Sequence, residues 1–545
     1  MKLRENTITR IALCLFVMLL CSNAVVGQTA SMNYVRKSQM TELYTSNPTI
    51  DFENARITID YYDGLGRPIQ SVDVAKAIDT YSVYTHTEYD NYGRPYRQWL
   101  PVSGPSITGE YVDPATVQQT AKEFYGDNYP FTESLPDRTP ELREATVWNP
   151  GEAWRSASKS ISKIYGFNRS DSVRFNCPLF DVASNGSLIY RGPYLNGRLR
   201  YELTRGEDGC DEIKFYDFDN RLILDRRYSS GKSYDTHYVY NICGLLTYVI
   251  SPRASTVFLE ENKQICDTAS VRKLCWHYAY DDRGRVIERR SPGAEPEYLV
   301  YDALGNVVLR QDGNLRADGQ WWAVKLDSRY RKISEGTAVY TNYTRADLQA
   351  IWNNKLPIET PDFVADAEFV LFYTDTCGIN SFIPKVSYFY DNYNHWTNLI
   401  GSLPTETGYT QGNTNGMGLL TGKAVYNCFG NPMISAYVYD DARRMTVDAR
   451  AELYGGVVHR TFYNYSFAGD LLKKKEIFQS SQSSYTTSEH LYHYHTSGDL
   501  QQVRHSFNGA TPITLYTRSY DDVGRLSGRL FKPRLYSANK RINST

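Results

Sequence analysis

The chain has 545 residues, too many for one ordinary core, and it lacks the long apolar runs of a multi-span membrane protein. Its 60 Lys plus Arg nearly cancel 61 Asp plus Glu, which argues against the basic excess or stripe that a nucleic-acid binder needs. The 46 Tyr against 21 Phe and 8 Trp suit half-exposed sheets, where the ring packs and the hydroxyl stays wet.

Lys2, Arg4 and Arg10 precede a short apolar run from Ile11 to Leu20, and small and polar residues follow through Gly27. The run is too short to span a bilayer and has its charges on the correct side, so residues 1–27 read as a secretory signal peptide with Gln28 first in the mature chain. The alternatives are lipidation at Cys21, for which Leu20 is a poor fit, and an uncleaved anchor helix. Export places the protein in the periplasm, at the cell surface or outside the cell, with no integral membrane span after cleavage. Seven Cys then remain, a number that suits mostly unpaired core residues better than a dense disulfide framework. The best pair by spacing is Cys266 with Cys275, as opposite arms of one hairpin.

Residues 28–190 form a first domain. Two copies of a six-residue motif open it, Tyr62-Asp63-Gly64-Leu65-Gly66-Arg67 and Tyr89-Asp90-Asn91-Tyr92-Gly93-Arg94, and a stretch rich in Pro and Gly follows from Pro101 to Trp154. That density of Pro predicts irregular structure with one short helix over Ala115 to Glu123. Residues 191–545 carry the motif again. Full copies stand at Tyr280-Asp281-Asp282-Arg283-Gly284-Arg285 and Tyr520-Asp521-Asp522-Val523-Gly524-Arg525. Weaker ones start at Tyr216, Tyr240, Tyr301, Leu326, Tyr426 and Tyr439, the Tyr301 copy keeping Asp302 and Gly305, and faint ones at Tyr463 and Tyr494. A recurring Y-D-x-x-G-R means one hairpin unit used many times. Asp63, Asp90, Asp281, Asp302 and Asp521 are the residues to accept a backbone hydrogen bond two positions on, and Gly66, Gly93, Gly284, Gly305 and Gly524 the left-handed residues that close a bulged hairpin. One helical insertion interrupts the array near 344–353, where Thr344 is placed as an N-cap.

These hexads resemble the YD repeats of the Rhs proteins, which include bacterial polymorphic toxins and toxin-complex shell subunits. The N-terminal residues Asn33-Tyr34-Val35-Arg36, Leu100-Pro101, Pro130-Phe131-Thr132-Glu133 and Pro150-Gly151-Glu152-Ala153-Trp154 are similar to the uncharacterised leader domain of secreted Rhs-like proteins, and Gly418-Leu419-Leu420-Thr421-Gly422 to a linker of that family. The resemblance implies an all-β fold, a twisted and curved strip of YD-repeat hairpins forming a partial shell, with an irregular N-terminal domain. It implies a non-enzymatic wall of a toxin- or effector-encapsulating shell, or a truncated cassette of one, since the C-terminal core and toxin of the family have no counterpart before Thr545. The implied partners are a downstream Rhs core or toxin polypeptide, or a second copy through the sheet edges. The rival is a surface carbohydrate- or protein-binding β module, with Trp321, Trp322 and Trp396 as the first suspects.

No residue pattern calls for an enzyme, a cofactor or a metal. The recurring Asp is a turn residue wherever it stands. His490-Leu491-Tyr492-His493-Tyr494-His495 offers two ligands on one strand face and no identifiable third. Cys275-Trp276-His277 puts a thiol and an imidazole on one face without an evident activating pocket. Gly416 to Ala424 fails as a phosphate loop because Met417 and Ala424 occupy required positions.

Overall fold

A computed structural model describes residues 29–531 except 30, 42–54, 76–80, 105–107, 138, 140, 142, 230, 262–263, 267, 360, 366–369, 374–376, 380, 453–455, 482–483 and 496. The signal-peptide reading of 1–27, Cys21 and the tail 532–545 therefore lie outside the described residues. The protein is all-β, built from antiparallel strands in large open sheet. Two compact units divide it: residues 1–135, 148–158 and 461–545 in one, and 136–147 and 159–460 in the other. No helix among the described residues is long and apolar enough to cross a membrane.

In the first unit β1 (Asn33–Met40), β2 (Ala55–Tyr62), β3 (Pro68–Asp73) and β4 (Val83–Tyr89) pair in order, β4 continues to β5 (Pro95–Trp99) and β6 (Val102–Ser103), and β5 pairs β7 (Phe131–Pro136). Strict alternation along ARITIDYY turns Ala55, Ile57, Ile59 and Tyr61 to a core with Val72, Tyr84 and Trp99. The Pro-rich stretch is more regular than its composition predicts. Pro101 and Pro130 fall between strands and Pro136 ends β7, positions where a missing N–H costs no ladder bond. Pro114 opens helix α1 (Pro114–Tyr125), whose first-turn amide at Ala115 is accepted by Asp113 and whose end is set by Gly126 at φ 58. This helix buries Val117 and Ala121 in the same core. The same unit contains a later meander, Leu471–Ser481, Ser484–Tyr494, Leu500–Phe507, Ile513–Tyr520 and Leu526–Phe531.

The second unit is a long antiparallel meander from Ile161–Phe167 to Met445–Glu452. Hexads turn the chain at one end of the strands after Tyr216, Tyr240, Tyr280, Tyr301 and Leu326. The returns at the other end carry the excursions. One is the helix Arg345–Trp352, started by a reciprocal capping box between Thr344 and Asp347. It places Leu348 and Trp352 in a core with Val300, Leu309 and Trp321. A second return holds helices Pro252–Glu261 and Thr268–Leu274, which bury Ala254, Phe258 and Val271 on Ile250 and Cys275. The sequence reading missed this pair because their apolar residues merge with the neighbouring strands. The structure corrects the Cys266 and Cys275 pairing: a helix, not a hairpin, separates them, and no disulfide joins the two.

Candidate functional site

The hexads are the feature most often repeated, and each turn is built the same way. Asp63 Oδ1 accepts the amides of Leu65 and Arg67, both at 2.9 Å, while Oδ2 accepts Arg67 Nε at 2.7 Å. Gly66 N–H donates to Asp63 O, and Asp63 N–H to Arg67 O, each at 3.0 Å. Asp90, Asp281 and Asp521 make the same three side-chain bonds, accepting the amides of Tyr92, Arg283 and Val523 and both the amide and Nε of Arg94, Arg285 and Arg525. Asp302 keeps both amides and takes Asn306 Nδ2 in place of the arginine. Gly66, Gly93, Gly284, Gly305 and Gly524 stand at φ of 77, 79, 76, 92 and 77, a region where an L side chain costs roughly 1–2 kcal/mol.

In four of these turns the bonds favour the ionised carboxylate, at Asp63, Asp90, Asp281 and Asp521. The Arg67 amide pulls Asp63 below its ordinary value, and the Arg94 side chain does so for Asp90. Burial pushes Asp281 and Asp521 up, and the amides and guanidiniums of Arg285 and Arg525 outweigh it. Most of the roughly four acceptor sites of each carboxylate are thus taken up inside its own turn.

The motif's Tyr and Arg act on the neighbouring hairpin. The Tyr89 hydroxyl donates to Pro68 O at 2.8 Å, the residue just after Arg67, and the Arg67 guanidinium lies 4.6 Å from the Tyr89 ring centre. The relation repeats between Tyr301 and Val286 O at 2.6 Å, with Arg285 over the ring at 4.5 Å. Tyr240 reaches Leu222 O, Tyr280 reaches Leu246 O, Tyr439 reaches Leu420 O and Tyr520 reaches Leu500 O. In these copies the hexad Tyr is therefore stapled to an earlier strand by a phenol bond and, for Tyr89 and Tyr301, by a cation–π contact as well. Tyr301→Phe keeps the ring and removes the bond, so it should lower stability by about 1 kcal/mol. An unchanged denaturation midpoint would remove the staple as a stabilising element.

Weak copies keep the turn with substitutes. Asn220, Tyr330 and Arg443 stand in the glycine position at φ of 65, 60 and 62, and Asn241 and Asn427 accept the two amides in place of Asp. The faint copy assigned from Tyr463 is shifted: the turn is Ser466–Asp470, with Gly469 at φ 96 and Ser466 Oγ accepting Asp470 N–H at 2.9 Å. Tyr at both 463 and 465 made that frame ambiguous. Turns at 183–187 and 206–210 have neither Tyr nor Asp at their start, and the dipeptides Asn185-Gly186 and Asp208-Gly209 are the signals that mark them. Tyr390-Asp391-Asn392-Tyr393 begins like Tyr89-Asp90-Asn91-Tyr92 yet forms no hexad turn. Asp391 instead binds Arg331 Nη1 and Nη2 at 3.1 and 2.6 Å and the Gly418 amide at 2.8 Å, chiefly the Arg331 bonds holding it at about 2.

The other candidates resolve into packing. Trp321 and Trp396 are 1% and 0% exposed, so neither can stack on a ligand, and Trp322 Nε1 donates to Glu335. Burial pushes the Cys275 thiol up to about 12 and Cys266 to about 11, the opposite of a nucleophile. His490 faces His505, with ring centres 4.7 Å apart, and His495 Nδ1 accepts the Ser497 amide inside a turn. Among the described residues no three His, Cys, Asp or Glu are placed to hold a metal ion. Residues Gly416–Tyr426 are a strand, not a phosphate loop.

Residues 34–167 match the family model described as a domain of unknown function, DUF6443. No curated protein matches. Among solved structures, a TcdB2-TccC3-TEV crystal structure is similar over 91% of this chain and 27% of its own, at 14% identity and a TM-score of 0.37. The Tc holotoxin pore of Photorhabdus luminescens matches over 93% and 29%, at 14% identity and 0.37. TcdB2-TccC3 without its hypervariable C-terminal region matches over 91% and 27%, at 15% identity and 0.37. The chain spans little more than a quarter of the length of these proteins.

Proposed function

We propose that this chain is a non-enzymatic, exported YD-repeat protein that forms part of the wall of a toxin- or effector-encapsulating assembly. One observation carries the reading: the chemically conspicuous residues of the hexad are engaged in building the hairpin and tying it to its neighbour. Asp closes its own turn, Arg ties the turn to the next Tyr, and Tyr donates back to the previous hairpin. A sheet that grows by adding stapled hairpins makes a surface of any length, which is what a wall requires. The resemblance of the hexads to Rhs repeats supplies the kind of wall. The rival, a surface carbohydrate- or protein-binding β module, loses two of its three first suspects to the core.

The same reading supplies a partner. Strand Leu526–Phe531 pairs with Ile513–Tyr520 and with no other described strand, and it exposes Leu526, Leu530 and Phe531. An unpaired edge with apolar side chains is a template for another strand. Light scattering on the mature chain at micromolar concentration should therefore find self-association, or a co-purifying polypeptide that carries further hairpins. A clean monomer from which no partner is recovered overturns the wall reading.

A further inference from the structure

Residues 461–531 meet residues 29–135 through their turns. Among the described strand pairs, none joins β1–β7 to the meander Leu471–Phe531. Three successive turns make the contact instead. In the first, Ala468 O accepts Gln39 Nε2 at 3.1 Å and Asp470 Oδ2 accepts Arg56 Nη2 at 2.5 Å. In the second, Gly498 lies so close to Arg56 that a Cβ there would stand 2.6 Å from Arg56 Cζ. In the third, Val523 at the hexad tip is 5% exposed, packed with Val83 and Phe124, and Arg525 lies over the Tyr125 ring at 5.5 Å. Tips elsewhere in the array stand in solvent, among them Leu65, Tyr92, Ile242 and Leu304.

We infer that residues 29–135 act as a receptor for repeat turns, forming a latch with the meander Leu471–Phe531 that opens without unfolding either side. Tip contacts break no strand ladder when they part. Each side keeps its backbone hydrogen bonds, and residues 29–135 keep the core around Ile59 and Trp99, so the latch sits at the low end of the range of opening energies. The Arg56 and Asp470 side chains are 23% and 18% exposed, shielded enough for the pair to matter and reachable enough for charge reversal to break it. The inference does not depend on the wall reading, since a closed or an open chain can belong to a wall.

Thiol labelling of full-length Val523→Cys, followed peptide by peptide by mass spectrometry, reads the opening. Cys177 and Cys275, both 0% exposed in the other unit, report its unfolding, and amide exchange along Ala55–Tyr62 and Ser484–Tyr494 reports unfolding of either side of the latch. The labelling rate at position 523 should exceed that of Cys177 and Cys275 and rise roughly ten-fold or more on adding Arg56→Glu, with those controls unmoved. Adding Asp470→Arg should return the rate toward its starting value. The latch is overturned if position 523 labels only as fast as the strands exchange, if Arg56→Glu leaves it unchanged or speeds every site alike, or if the charge swap restores nothing.

Discussion

Lys325→Met should destabilise the unit that contains it by about 3–5 kcal/mol, the usual cost of leaving one buried charge without its partner. Lys325 and Glu359 side chains are 3% and 0% exposed, with Nζ 3.4 Å from Oε1. Nζ also lies 4.6 Å from the Phe382 ring centre, and Oε1 accepts the Cys377 amide at 2.9 Å. The pair fastens the excursion that follows Val339 to the strand Gln320–Leu326, whose Leu326 exchanges backbone bonds with Pro357 and Glu359. Lys325→Met with Glu359→Gln removes both charges and leaves the amide an acceptor, so most of the stability should return. Urea titration followed by fluorescence of the neighbouring Trp321 and Trp352 measures both variants. A single-variant loss under 1 kcal/mol would mean that water reaches the pair and that it fastens nothing.

Acid should weaken the same unit in two stages. His237 and His395 are 1% exposed, and burial holds each imidazole neutral, down to about 4 from an ordinary 6.5. Around His237, Asp235 favours the charged form and Arg226 opposes it; His395 stacks on Phe389 and its Nε2 meets Ser435 O. Between pH 6.5 and 4 the unfolded chain binds protons that the folded chain refuses, so stability falls as pH falls, by about 3 kcal/mol for each histidine across the window. Below pH 4 the carboxylates take over. Asp391 at about 2, with Asp281 lowered in the same unit, contributes stability that is complete above the unfolded carboxylate value and lost as pH drops toward 2. Asp225, raised by burial, works in the opposite direction. Melting temperature against pH checks the order: His395→Gln should remove about half of the fall between 6.5 and 4, the share of His237 remaining, and leave the lower limb in place. A wild-type curve flat from pH 7 to 4.5 would mean that neither histidine is sealed from water.

The sequence by itself determined what is local. Alternation and turn chemistry specify the all-β class, because a strand's two faces and a hexad's closing bonds are written within a few residues: Asp63 reaches only Leu65 and Arg67. The helix after Thr344 is equally local, since its capping box needs only Asp347 three residues on. The tertiary structure decided what depends on distant partners. Whether Tyr301 is a strand end or a staple depends on Val286, a hairpin away, and no rule of composition separates Trp321 in the core from Trp322 beside Glu335. Lys325 and Glu359 read as ordinary surface charges until the chain buries them together, and Val523 reads as an exposed tip like Leu304 until Val83 and Phe124 cover it. Hydrogen bonds that close a turn are chosen by neighbours in the chain, whereas desolvation is chosen by whatever the rest of the fold brings near.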